Sequence, residues 1–232
     1  MASRTWSAVP HQENLLRVAR LFALFVGVGY LGYLLLLSGD IAGLAPRMAS
    51  WWTPTMVILV FGPGLALGIV AARRHAAGTR WLAATAALTF LVAVATWPMA
   101  WDGSQGSQLA GVWLAAFHGL ASLAAVVAWP AWIAVVHMVV GCVGVQLINF
   151  ALRTDVPASM LVPEILFAIM FCSLFVGGAV MAFRTGRLLD ETTDETHADA
   201  AEAAAQRAFG GTRANRRADP RQRAVDPVGG RA

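Results

Sequence analysis

The sequence predicts an all-α membrane protein: a bundle of six transmembrane helices with both termini on one side, a cytoplasmic helix, and a disordered tail. Three observations carry that expectation. Of the 232 residues, 58% are hydrophobic and only 13% charged, far more apolar than an average soluble domain. Six apolar runs are each long enough for a spanning helix, which needs about 20 residues. The arginines fall almost entirely on one side of the resulting topology.

The runs are Leu15 to Leu37, Thr53 to Ala72, Trp81 to Ala100, Leu109 to Ala128, Trp132 to Leu152 and Met160 to Phe183. The segment before them, residues 1–14, reads as a short cytoplasmic lead. The first run is too long for a signal-peptide core and no small-residue cleavage motif follows it, so it reads as a retained helix. The interruptions carry turn or interface residues, as in Ser38-Gly39-Asp40, Arg73-Arg74-His75 and Arg153-Thr154-Asp155. The boundary at Trp129-Pro130 is the weakest, because it has no charge of its own.

Positive flanks are retained in the cytoplasm. Arg4, Arg17, Arg20, Arg73, Arg74, Arg80, Arg184 and Arg187 lie on one side of the six-helix arrangement, and only Arg47 and Arg153 on the other. Both termini are therefore expected in the cytoplasm of a bacterial cell, with the bundle in its plasma membrane. A bacterial source follows from the arginine-only, alanine-rich composition, which suits a GC-rich genome. Trp51, Trp52, Trp81, Trp97, Trp101, Trp129 and Trp132 sit near run ends, where indoles anchor at the headgroup zone.

Ionisable groups at membrane depth are functional candidates. His118 lies within the fourth run, His137 within the fifth, and Glu164 near the outer end of the sixth. They are the candidates for signal sensing or helix packing. The two histidines can form a ligand or haem site together, or each can bond a neighbouring group such as Ser122, Thr96 or a backbone carbonyl; no ligation motif accompanies them. Glu164 can pair with Arg153 or face a cavity. Cys142 and Cys172 fall in apolar runs and read as small hydrophobes, so neither a disulfide nor a metal site is expected, and no catalytic or cofactor-binding residue is assigned. Gln146 and Asn149 read as interhelical hydrogen-bonding groups, and Gly64-Leu-Ala-Leu-Gly68 has the spacing of a close helix contact. Pro54, Pro63 and Pro98 are candidate kinks or helix ends.

After Phe183 the composition changes. Residues 184–208 become acidic and alanine-rich, with Leu188, Leu189, Thr192, Thr196, Ala200 and Ala203 near heptad spacing, the pattern of a weak coiled coil. Residues 209–232 are rich in arginine, glycine and proline without apolar periodicity and are expected to be disordered.

A membrane bundle followed by Arg187-Leu188-Leu189-Asp190 and an Ala/Glu-rich helix resembles the sensor region of actinobacterial two-component histidine kinases. The resemblance rests on Arg187 to Ala208. It implies a homodimer joined through the cytoplasmic helix in the lipid bilayer, with no nucleic acid as partner and a response regulator only where a kinase core is present. In that family a phosphoacceptor helix of the type Glu-Arg-x-Arg-x-Asp-Ala-Leu-Ile-His-Asp-Ser-Val follows, and then an ATP-binding domain. Neither appears here, and His197 lacks the matching context. Read one nucleotide downstream, however, codons for Gly211 to Arg223 can encode Glu-Arg-Ala-Arg-Ile-Asp-Ala-Leu-Ile-His-Asp-Ser-Val. The expectation is a sensor portion truncated or frameshifted before its phosphoacceptor. The alternative is an intact small membrane protein, either a transporter-like bundle or an accessory subunit.

Overall fold

A computed structural model describes residues 12–73, 78–104 and 112–218, with side chains described as far as residue 207. It contains seven α-helices among these residues: α1 (Glu13–Leu36), α2 (Ser38–Leu44), α3 (Trp52–Ala72), α4 (Thr79–Ala100), α5 (Trp113–Ala128), α6 (Ala131–Leu152) and α7 (Leu161–Ala218). No strand occurs among them. Five helices are long and apolar enough to cross a membrane, α5 being the shorter exception. The chain divides into two compact units, one of residues 13–187 and the other including residues 188–218.

The apolar runs become helices because their backbone groups find partners only within the segment when water is absent. Helix α3 carries Pro54 in its first turn, where a missing N–H costs nothing. Both α3 and α4 continue past an internal proline, Pro63 and Pro98, so none of the three ends a helix. Between α1 and α3 the expected turn is instead the short α2 and a 3-10 turn, Ala45–Arg47. This segment pairs with the end of α4: Ala49 N–H donates to Ala100 O at 2.7 Å and Asp102 N–H to Arg47 O at 3.0 Å.

Helix α5 is the interior element. Twelve of its 16 residues are buried, the signature of a helix that is apolar all round. At 1.5 Å per residue it is about 24 Å long, shorter than the roughly 30 Å of a hydrocarbon core. Its ends are closed by other helices: Asn149 Oδ1 accepts from Val112 N–H at 3.0 Å, and Arg80 Nε donates to Ala128 O at 2.8 Å. The uncharged Trp129-Pro130 boundary thus receives its charge from α4.

Helices α1 and α3 meet at the glycine pair expected from spacing. A Cβ on Gly27 would lie 2.3 Å from Gly68 Cα, and one on Gly64 would lie 2.1 Å from the Tyr30 ring. Backbone rests on backbone at Gly27 and Gly68, while Gly64 provides the seat for Tyr30. That ring also meets Phe117 edge-on at 4.6 Å.

Two tryptophans depart from the anchoring expectation. Trp52 and Trp97 are fully buried, packed edge to face at 4.9 Å and 85°, and Trp52 Nε1 donates to Thr96 Oγ1 at 3.0 Å. One polar partner and one aromatic edge make the interior a better place for Trp52 than the headgroup zone. Trp51, Trp81 and Trp132 are exposed, as anchors are. Around the bundle, large apolar side chains including Phe25, Val28, Ile58, Val92, Val140, Phe167, Phe171 and Leu174 face outward. So much exposed apolar surface is what a lipid environment covers.

Helix α7 continues through Phe209 to Ala218, so residues 209–218 are helical where the sequence pattern had suggested the start of a disordered tail. Residues 1–11, the Arg74-His75 turn, the start of the fourth run and the tail beyond residue 218 lie outside the described residues.

Candidate functional site

Three of the bundle helices each contribute one buried side chain to a single cluster. His118 on α5, Cys142 on α6 and Cys172 on α7 place a ring nitrogen and two Sγ atoms within 4.8 Å of one another. The cysteines are unpaired thiols, completely buried, and His118 is only 8% exposed. Gly119 lies beside Cys172, where an added Cβ would make an ordinary 3.4 Å contact with Sγ.

The His118 ring has one satisfied nitrogen. Nδ1 contacts the Ala115 carbonyl; that oxygen can only accept, so Nδ1 carries the hydrogen. Nε2, which then carries the lone pair, is buried without a hydrogen-bond partner. Ser122 donates to the backbone oxygen of His118 at 2.9 Å and leaves the ring alone. A metal-ligating histidine is usually oriented in this manner, through its second nitrogen. The sequence reads the two cysteines as small hydrophobes with no metal site expected, whereas the fold places both thiols beside His118. Each thiol behaves as a small hydrophobe along its own helix, and helix packing alone brings the pair and His118 together.

The other candidates go elsewhere. His137 does not join the cluster: its Nε2 lies 2.9 Å from Ala87 O on α4, and its ring packs beside Phe90 and Trp129. It serves as an interhelical hydrogen-bonding group, so the two histidines do not form a joint ligand site. Glu164 accepts from Arg153 Nη1 at 3.2 Å, and Asp155 stands 3.9 Å from Arg153 Nε. Asn149 joins α6 to the start of α5 through its Oδ1, and its Nδ2 donates to Gln146 Oε1 at 3.4 Å.

A second polar feature lies at the opposite end of the bundle from Glu164. A cavity of about 940 Å³ is lined by Glu13, Arg17, Arg20, Arg80, Arg187 and apolar residues that include the end of α5 and Trp129-Pro130. Arg20 Nε donates to Ala71 O at 2.9 Å, closing α3 as Arg80 closes α5. Carbonyls at a helix C-terminus carry partial negative charge that favours a cation, so Arg20 and Arg80 have structural partners at this end. None of His118, His137 and Glu164 lines the cavity.

Comparison with protein-family descriptions, with curated proteins and with solved structures finds no match for this chain.

Proposed function

We propose that the chain is the membrane sensor portion of a bacterial two-component histidine kinase, embedded in the plasma membrane with both termini cytoplasmic. The observation that carries this reading is the continuity of α7. One unbroken helix, Leu161–Ala218, holds Cys172 of the buried cluster and, further on, the heptad-like positions Leu188, Thr192 and Thr196.

Within the bundle the buried residues of α7 are Ala168, Cys172, Val176, Ala179 and Gly186, small residues at helical spacing that form a single narrow seam. A helix held by a few small side chains can take more than one rotational setting at low cost. A stimulus that binds one setting better shifts the population toward it, and a continuous helix carries that rotation along its length. The second copy needed for a parallel coiled coil pairs through residues 188–208. The phosphoacceptor and ATP-binding parts of the family are not among these residues, and no residue here is given a catalytic role.

Six crossings follow if α5 is counted as a short inner span, shielded from lipid by its neighbours. The clustering of Arg17, Arg20, Arg80 and Arg187 around one cavity supports placing that end in the cytoplasm. A transporter-like reading finds less support, because His137 bonds Ala87 O and Glu164 pairs with Arg153, each apart from His118.

Disulfide crosslinking in membranes tests the pairing. Single cysteines placed along 188–203 are expected to crosslink between copies at spacings of three and four residues, strongest near Leu189, Thr192 and Thr196. Uniform or absent crosslinking overturns the dimeric helix.

A further inference from the structure

We propose that His118, Cys142 and Cys172 form a binding site for a single Cu⁺ ion. Their donor atoms already lie within 4.8 Å of one another. Donors on one thiophilic cation sit roughly 3.5–4 Å apart, given bonds of about 2.3 Å to sulfur and 2.0 Å to nitrogen. Closure therefore requires movements on the order of an ångström or less. The Nε2 lone pair of His118 is the free donor, because Nδ1–H is held by Ala115 O.

Two sulfurs and an imidazole are soft donors, which select Cu⁺ or Zn²⁺ over hard cations. Ligand number then separates the two. A structural Zn²⁺ site takes four ligands, and among the described residues no fourth His, Cys, Asp or Glu joins these three. Cu⁺ is satisfied by three. Both thiols release their protons to solvent on binding, because the thiolate is the metal ligand, and Cu⁺ is then held by two thiolates and one neutral imidazole.

The three ligands come from α5, α6 and α7, so an ion held among them ties α7 to the interior helix. Cu⁺ binding stands on the cluster itself and goes beyond the signalling reading; its retention is measured without any kinase output.

The test loads the purified full chain with Cu⁺ under anaerobic, reducing conditions and passes it over a Cu⁺ chelator. One copper per chain is expected to remain, with at least a tenfold loss in the C142S/C172S variant and none in H137N, whose ring lies outside the cluster. X-ray absorption of the loaded wild-type chain, which needs no variant to fold, is expected to show a sulfur-dominated shell with one imidazole. Failure of the folded wild-type chain to retain copper, retention unchanged in the double variant, or a shell of nitrogen and oxygen alone overturns the site. Displacement of the copper by equimolar Zn²⁺ overturns the choice of ion.

Discussion

Arg80 Nε donates to the carbonyl oxygen of Ala128 at 2.8 Å, so a cation at the start of α4 closes the last turn of α5. The final carbonyls of any helix lack an intrahelical partner; here the Trp129 N–H returns to Ala125 O, and Arg80 supplies the partner for Ala128 O. Arg80→Gln is expected to lower stability by about 1–2 kcal/mol, read as a lower Tm in detergent, and Arg80→Lys to recover only part of it. An unchanged Tm in Arg80→Gln would mean that water closes α5 equally well.

At the α1 and α3 contact, Gly64→Ala places a methyl group where the Tyr30 ring stands, 2.1 Å from its Cδ1. Overpacking of that kind costs about 1–3 kcal/mol. Gly32→Ala, with nothing within 4 Å, serves as the matched control and is expected to leave Tm unchanged or slightly raised. Equal effects of the two substitutions in thermal unfolding would contradict the close packing.

The Arg153 and Glu164 pair is partly exposed, with side chains 34% and 25% accessible. Exposed pairs are worth about 0.2–1 kcal/mol and are screened by salt. Glu164→Gln is expected to change Tm by no more than that, with the difference from wild type shrinking as salt rises. A larger, salt-insensitive loss would indicate that Glu164 does more than pair with Arg153.

Beyond the end of α4, the Asp102 carboxyl is held below its ordinary value by the Ser104 side chain first, then by the Ser104 amide, with Arg47 adding to the effect. A depressed carboxyl pKa contributes stability that is present above the unfolded value and is lost as pH falls through the folded one. The Ser104 amide, bonded to Asp102 Oδ1 at 2.8 Å, is expected to be protected from hydrogen exchange at neutral pH. Protection should fade only below the usual carboxylate range, and be missing throughout in Asp102→Ala. Protection insensitive to both changes would contradict this loop geometry.

Helix boundaries were legible from hydropathy because a membrane segment must satisfy its own backbone: Thr53 to Ala72 matches α3 (Trp52–Ala72), and Trp132 to Leu152 matches α6 (Ala131–Leu152). The Gly64 and Gly68 contact was legible as spacing, and Glu164 with Arg153 as complementary charge. Other features depend on how each helix is rotated. Trp52 and Trp97 sit near run ends like anchors yet turn inward, since the same sequence position can face lipid or protein. Cys142 and Cys172 carry no local motif, and only the packing of α5, α6 and α7 turns two apolar-looking thiols and His118 into one cluster. Arg80 reads as a topogenic charge, which conceals its second task at Ala128.

Residues 1–208 fused to a dimeric histidine-kinase core, with one to seven alanines inserted after Ala203, test most directly whether the bundle and α7 control such a core. Each insertion turns the core relative to the bundle by about 100°, the step of a helix with 3.6 residues per turn. The sensor reading predicts autophosphorylation that rises and falls with insertion length at that period. Activity that is independent of insertion length would contradict it.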